Sequence, residues 1–426
     1  MIRRLPCWLL LFGLGWPPAG ATAACDGDGE PVRIERIAFE GNEVTQRITF
    51  LRELEFGEGD LVCPRDIELA RQAILDLRLF RSVTSDVATL PSGSIVVTYT
   101  VRERWYLLPI PRVDASSDAD FGYGVSLFWN NIGGLNHRLS VSGVRRELEE
   151  RTLDNETIID ARYDWRRFLG SRNNLSLTAR NSNEAAVAGE RRYEDLSTSL
   201  GIGLSRQLTR RQTGQGWSLS TSLYWQHGRN EGVEAPPDEG VLTLASVGLG
   251  YRDVHSSVYS ERGISASVAV SAQVPGVSDY NQSALSGRIA RYLPVGERAH
   301  QSVHLHAQGA TYHGGPQGRR SDAYELGGAG NLRGYEDEFA EGDTYWYAAA
   351  EYLRPLYWDW LRGLVVLEAG QVHRANFPER EKDLMLSLGV GLRMRLTWFV
   401  DAEVEIGVAY PLLDGDGARG FFGGSS

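Results

Sequence analysis

Few residues in this chain are spaced to do chemistry. His304 and His306 stand two apart in Val303-His304-Leu305-His306, which puts both imidazoles on one face of a strand. Such a pair can hold a metal, but no third ligand follows from the sequence, and a polar wall needs nothing more. Asp160, Arg162, Asp164 and Arg166 alternate in the same way and read as an ionic network along one strand face. Gly-x-Ser-x-Gly, His-Glu-x-x-His and phosphate-loop patterns do not occur. The chain therefore reads as a non-enzyme, and no cofactor or resident metal is implied. The remaining candidate is Arg333, in the glycine-rich run Glu325-Leu-Gly-Gly-Ala-Gly-Asn-Leu-Arg-Gly-Tyr335. Glycines there allow the backbone a close approach to whatever lies beside it; a solvated loop arginine is the simpler alternative.

The elements around these residues follow a period of two. Ile264 to Ser271 alternates apolar with small or polar residues, and Trp217 to Trp225 does the same with a tryptophan at each end. Leu386, Leu388, Val390, Leu392 and Met394 alternate with Ser387, Gly389, Gly391, Arg393 and Arg395; Val404, Ile406 and Val408 alternate with Glu403, Glu405 and Gly407. A soluble sandwich also alternates. Here, however, arginines and glutamates stand in mid-strand and aromatics gather near strand ends, which fits a membrane barrel with lipid outside and a wet lumen inside. Closure is then required, because an open edge would leave backbone groups unpaired in hydrocarbon.

The alternating segments fall near 105–114, 119–128, 136–146, 157–168, 173–182, 193–207, 217–227, 241–252, 263–274, 282–293, 301–312, 345–356, 363–374, 384–396, 399–411 and 418–425. That makes about sixteen antiparallel strands, each with room for a span of roughly 9–11 residues and a connection. The longest connection, about 313–344, holds Arg333 and reads as a long structureless loop, a type that is usually functional.

The N-terminal part has another period. Val32 to Phe39 reads as a strand ended by Gly41-Asn42, and Thr45 can cap a first helix through Ile48, Leu51 and Leu54. Pro64 suits the first turn of a second helix, with Ile67, Ala70, Ile74 and Leu77 as its apolar stripe. Two strands follow, near Val83–Leu90 and Ile95–Arg102. The order is strand, helix, helix, strand, strand, in a module of modest core size.

The first 24 residues read as an export signal: Arg3-Arg4, an apolar run from Leu5 to Trp16, then Ala21-Thr22-Ala23. The expected division is therefore 1–24 signal peptide, 32–104 small domain and 105–426 barrel. A formal charge of −11 argues against nucleic acid as a partner, since that binding rests on neutralising phosphates. Cys7 lies in the signal. Cys25 and Cys63 could close a disulfide in an exported chain, although lipidation of Cys25 or two free thiols are also open.

Leu332-Arg333-Gly334-Tyr335, preceded by Gly327-Gly328 and followed by Ala350-Glu351-Tyr352-Leu353-Arg354-Pro355-Leu356, resembles the signature loop of the BamA/TamA superfamily of outer-membrane assembly and secretion barrels. Ile34–Asn42, Gly59-Asp60, Leu79-Phe80 with Val83, and Val101–Arg104 resemble a polypeptide-transport-associated (POTRA) domain. The resemblance implies a sixteen-strand barrel whose sixth outer loop folds into the lumen. Its arginine would contact an acid on the thirteenth strand, where this chain has Val366-Leu367-Glu368-Ala369-Gly370 in place of Phe-x-Asp-x-Gly. Strand parity turns Glu368 inward, so Arg333, Gly334, Tyr335, Glu368 and Gly370 are the expected loop latch.

The resemblance further implies a Gram-negative outer-membrane protein with its POTRA-like domain in the periplasm. That domain would receive an unfolded polypeptide, a secreted protein or a nascent outer-membrane protein, by strand addition at the sheet edge; Val83 and Thr98 are the positions expected there. Lipid is the other partner, and accessory subunits are not specified. A passive channel with the small domain as anchor is the reading from another class. A lumen enzyme would have to be built around His304 and His306.

Overall fold

The computed structural model describes residues 25, 30–115, 121–147, 155–188, 191–209, 212, 214–232, 235, 239–315, 324–337, 339–373, 382–400 and 402–425. The export segment expected over residues 1–24 lies outside them.

The small domain contains β1 (Val32–Glu40), α1 (Arg47–Leu51), β2 (Leu61–Val62), α2 (Pro64–Asp76), β3 (Phe80–Thr89) and β4 (Ile95–Glu103). Its sheet runs β2-β1-β4-β3. Ile34 and Ile37 are both buried although three residues apart, because the register of β1 shifts between Ile34 and Arg36. They pack with Phe50, Ile67, Ile74, Leu79, Phe80, Val97 and Tyr99. Pro64 opens α2, and the Asp66 carboxylate accepts from Cys63 N at 2.8 Å, satisfying one donor that the helix start leaves open. Cys25 and Cys63 are joined as a disulfide, with 5.7 Å between Cα atoms. Thr45 does not cap α1: Gln46 holds that position, and the Thr45 hydroxyl instead bonds Tyr106 and Asn131.

The second body is one antiparallel sheet of sixteen strands. Its first half is β5 (Leu107–Ala115), β6 (Phe121–Ile132), β7 (His137–Glu147), β8 (Glu156–Trp165), β9 (Asn173–Ala188), β10 (Arg191–Gln207), β11 (Gly216–Glu231) and β12 (Glu239–Ser256). β13 (Glu261–Gln273), β14 (Gln282–Pro294) and β15 (Ser302–Gly314) follow. The loop then contributes a small hairpin of its own, β16 (Tyr324–Leu326) with β17 (Ala340–Gly342). β18 (Thr344–Pro355), β19 (Leu361–His373), β20 (Lys382–Leu396), β21 (Ala402–Pro411) and β22 (Arg419–Ser425) complete the sheet. Each strand pairs with the next in sequence, except that β15 pairs with β18 across the loop. The long connection is therefore not structureless.

Parity sorts the faces as a barrel requires. On β19, Val365 and Leu367 point outward, whereas Arg362, Leu364, Val366 and Glu368 are buried inside. On β20, Leu388 and Val390 point outward while Ser387, Arg393 and Arg395 are buried. The sheet curls until a residue just before its first strand reaches the β20–β21 turn: Trp105 bridges to Phe399 there, with Trp105 N donating to Trp398 O at 2.7 Å. Among the described residues no helix is long and apolar enough to cross a membrane, which does not bear on crossing by strands.

The small domain sits on the short-turn rim of the barrel. Thr49 Oγ1 and Gln46 Nε2 donate to the carbonyls of Gly134 and Gly133 in the β6–β7 turn, both at 2.7 Å. Gly134, at φ +73°, has no space for a Cβ, which would meet Val44 O at 2.2 Å. Arg167, in the β8–β9 turn, donates to Arg52 O at 3.0 Å. At the β12–β13 turn, Asp76 accepts from Ser256 N at 2.7 Å and lies 2.9 Å from His255 Nδ1. Arg78 ion-pairs there with Glu261.

Candidate functional site

The loop returns into the barrel and is held against the inner faces of β18 to β22. Its backbone is shaped for this. Gly327 and Gly328 have φ of +129° and +89°, and Leu332 takes φ +49°, a left-handed conformation that a branched side chain adopts only when its surroundings compel it. Leu332 is fully buried, packed with Leu326, Tyr335, Ala340, Val372 and Met385. Gly370 makes the space: a Cβ on it would lie 3.0 Å from Leu326 Cδ1 and 3.1 Å from Leu332 Cδ1. Gly334 is pressed against the wall in the same way, 2.7 Å from Ser387 Cβ and 2.9 Å from the backbone of Tyr410 and Pro411 when a Cβ is placed on it.

Arg333 is the centre of the arrangement. Its backbone N donates to Glu368 Oε2 at 2.7 Å and its Nη1 to Glu368 Oε1 at 2.6 Å. Nη2 donates to Glu351 Oε1 at 2.9 Å. Nε lies 2.9 Å from Glu405 Oε1, an ion-pair distance without hydrogen-bond alignment. Arg393 is a second guanidinium in the cluster, bonding Glu351 Oε1 at 2.9 Å through Nη2 and Glu405 Oε2 at 2.7 Å through Nε. Glu368, wholly buried, also accepts from Tyr347 Oη at 2.7 Å and Ser387 Oγ at 3.0 Å. A buried carboxylate is tolerable only when paired and hydrogen-bonded in this manner. From β22, Phe421 lays its ring 5.5 Å from the Arg333 guanidinium carbon.

Tyr335 pins the next residue. Its hydroxyl accepts from Leu386 N at 2.9 Å and lies within donating distance of the carbonyls of Leu386, at 3.1 Å, and Leu413. Arg333, Gly334, Tyr335, Glu368 and Gly370 thus meet at one place. Glu351, Glu405, Arg393, Tyr347, Ser387 and Phe421 complete it without having been anticipated there. A signal for three of them was present: Glu351 stands in the run after the loop, and Arg393 and Glu405 are mid-strand charges on the inward parity.

The positions expected at the client-receiving edge need correction. Thr98 is on β4, hydrogen-bonded between β1 and β3, with Ala38 and Asp86 as register partners; it is not at an edge. Val83 is on the edge strand β3, but its side chain is in the core. The sequence shows two strands at the end of the domain without showing that the last one inserts beside the first. The exposed part of the edge is Thr84 and Asp86 to Thr89.

On the ionic wall, Arg162 Nη2 bonds Asp164 Oδ1 at 2.8 Å, and Asp160 lies 3.6 Å from Arg180 of β9. His304 and His306 face inward on β15. The structure adds the neighbour that the sequence lacked, because Glu351 on β18 is the direct register partner of His304.

The sequence matches the Omp85 superfamily domain over residues 131–421 and the surface antigen variable number repeat, a POTRA unit, over residues 32–104. No curated protein sequence matches it. The fold is similar to BamA from Haemophilus ducreyi lacking POTRA domains 1–3, at 17% identity and TM-score 0.56, covering 93% of this chain and 85% of that one. It is also similar to CdiB from Escherichia coli, at 17% identity and TM-score 0.64, over 92% and 75% of the two chains. CdiB from Acinetobacter baumannii gives 15% identity and TM-score 0.59, over 92% and 72%.

Proposed function

The chain belongs to the Omp85 superfamily, and on that premise we propose that it is an outer-membrane barrel that passes a polypeptide across that membrane, or helps one insert into it. The small domain faces the periplasm and receives the client; the barrel carries it outward or templates its insertion, and no nucleotide is consumed. The observation that carries this reading is the loop held in the lumen by Arg333 among Glu351, Glu368 and Glu405. A loop fixed by one compact polar cluster can be released as a unit when that cluster opens, an order–disorder transition of a segment.

The small domain supports the same reading. β3 pairs only with β4 among the described residues, and from Thr84 to Thr89 it offers an unpaired backbone edge carrying the half-exposed Val87. An extended peptide can add to such an edge through main-chain hydrogen bonds. The domain touches the β6–β7, β8–β9, β12–β13 and β20–β21 turns, so a client bound to it is delivered at the mouth.

The test is deletion of the chain in its host, followed by proteomics of the medium and of the outer membrane. Loss of one secreted protein with normal barrel content identifies an exporter, and loss of barrels identifies an insertase. If both are unchanged while small-solute permeability falls, the passive channel is the correct account.

A further inference from the structure

We propose that His304, His306 and Glu351 form a binding site for one divalent transition-metal ion, of the zinc or cobalt kind, which staples β15 to β18 beside the docked Arg333. The ligand atoms of the three residues all lie within 4.8 Å of one another. His304 and His306 project from the same face of β15, and Glu351 is opposite His304 in the β15–β18 ladder. Three ligands from two paired strands are brought together by the sheet itself.

The distances favour a cation over a hydrogen-bonded cluster. Glu351 Oε2 lies 3.8 Å from His304 Nδ1 and 3.9 Å from His306 Nε2, too long for a hydrogen bond to either ring. Metal bonds of about 2.0–2.1 Å separate two ligands by roughly 3.4 Å in a tetrahedral site and about 4.1 Å at most. Both observed spacings exceed the tetrahedral value by about 0.4–0.5 Å, so the carboxylate and the imidazoles close by a few tenths of an ångström to seat the ion.

The surroundings are also those of a metal site. Ser302 Oγ lies 3.1 Å from His304 Nε2; when that nitrogen donates to the hydroxyl, the lone pair is on Nδ1, toward Glu351. Such outer partners fix the tautomer of metal-binding histidines. Tyr292 sets its ring edge-on to both imidazoles, at centroid distances of 4.9 and 5.8 Å. Arg333 and Arg393 engage Oε1 of Glu351 and leave Oε2 for the ion. Two imidazoles and one carboxylate suit zinc, cobalt, nickel or copper rather than calcium or magnesium. His306 is part-exposed, which provides entry.

The experiment uses the untagged full chain in detergent, stripped with chelator and titrated with Co2+ or Zn2+ alone. One site per chain is expected, with visible Co2+ absorption of low coordination number. His304→Gln and His306→Gln should each abolish it, and Ser302→Ala should weaken it about 10–100-fold. Absence of a stoichiometric site, or a site that both histidine variants retain, would overturn the proposal. A measurement on the unaltered chain guards against variants that fail to fold: Zn2+ should protect His306 from diethylpyrocarbonate, read by mass spectrometry. Equal modification with and without Zn2+ would also overturn it.

Discussion

Arg333 and Glu368 are joined twice, once through the Arg333 backbone N at 2.7 Å and once through Nη1 at 2.6 Å. The side-chain bond fixes the charge and the backbone bond fixes the path of the loop. Removing one partner of a buried ion pair strands the other, at a cost of about 3–5 kcal/mol. Arg333→Ala and Glu368→Ala should therefore shift the loop toward release. Labelling of a cysteine placed at Ala340, which is buried in the docked loop, should rise by about two or more orders of magnitude in rate if release is what exposes it. Exchanging the two charges will not restore docking, because a carboxylate at position 333 would face Glu351 and Glu405.

Gly334→Ala should release the loop without touching any charge. The added methyl meets Ser387 Cβ at 2.7 Å and the backbone of Tyr410 and Pro411 at 2.9 Å, and overpacking of this sort costs about 1–3 kcal/mol. Gly330→Ala is the matched control, since a Cβ there meets nothing within 4 Å. Limited proteolysis of the loop compares the two; equal cleavage would show that the close approach at Gly334 is not what holds it.

Phe421→Ala should loosen both the last strand and the loop. The ring lies over Arg333 and fills the space left by Gly389, Gly391 and Gly407. Truncating a buried phenylalanine costs about 3–5 kcal/mol. Earlier loss of heat-modifiable mobility together with faster loop cleavage is expected. Lower barrel stability with an unchanged loop would separate Phe421 from the latch.

The seat of the small domain on the rim should depend on pH. His255 stands at the end of β12, beyond the apolar band, against Asp76 of α2. The hydrogen bond it donates to Asp76 raises its pKa above 6.5, outweighing the burial that opposes it. Docking thus favours the charged imidazole. Its contribution is full below the undocked value and is lost as pH rises through the raised one. A spin-label distance between the small domain and the barrel should broaden from pH 6 to pH 9 in the unaltered chain. Asp76→Asn should remove that dependence.

Much of this architecture was legible because a barrel strand has to alternate. Val365, Leu367 and Glu368 could be assigned to their faces by parity alone, and the interval between β15 and β18 marked the loop. The small domain was less legible in detail. The register shift between Ile34 and Arg36 breaks the period of β1, and strand order within a sheet does not follow from chain order, which is why Thr98 was expected at an edge. The composition of the latch was half legible. Inward parity marks Glu351, Arg393 and Glu405 as lumen residues, but which of them meet is set by the curl of the sheet and the path of the loop. Neither leaves a periodic trace.

The central claim is that the small domain receives polypeptide on its open edge. The most direct measurement is in-cell photocrosslinking from Thr84 and Val87 on β3, with Thr98 in the middle of the sheet as internal control. A discrete polypeptide adduct from the edge positions and none from Thr98 is the predicted result. No adduct from β3, under conditions in which an established client-binding control crosslinks, would contradict the account.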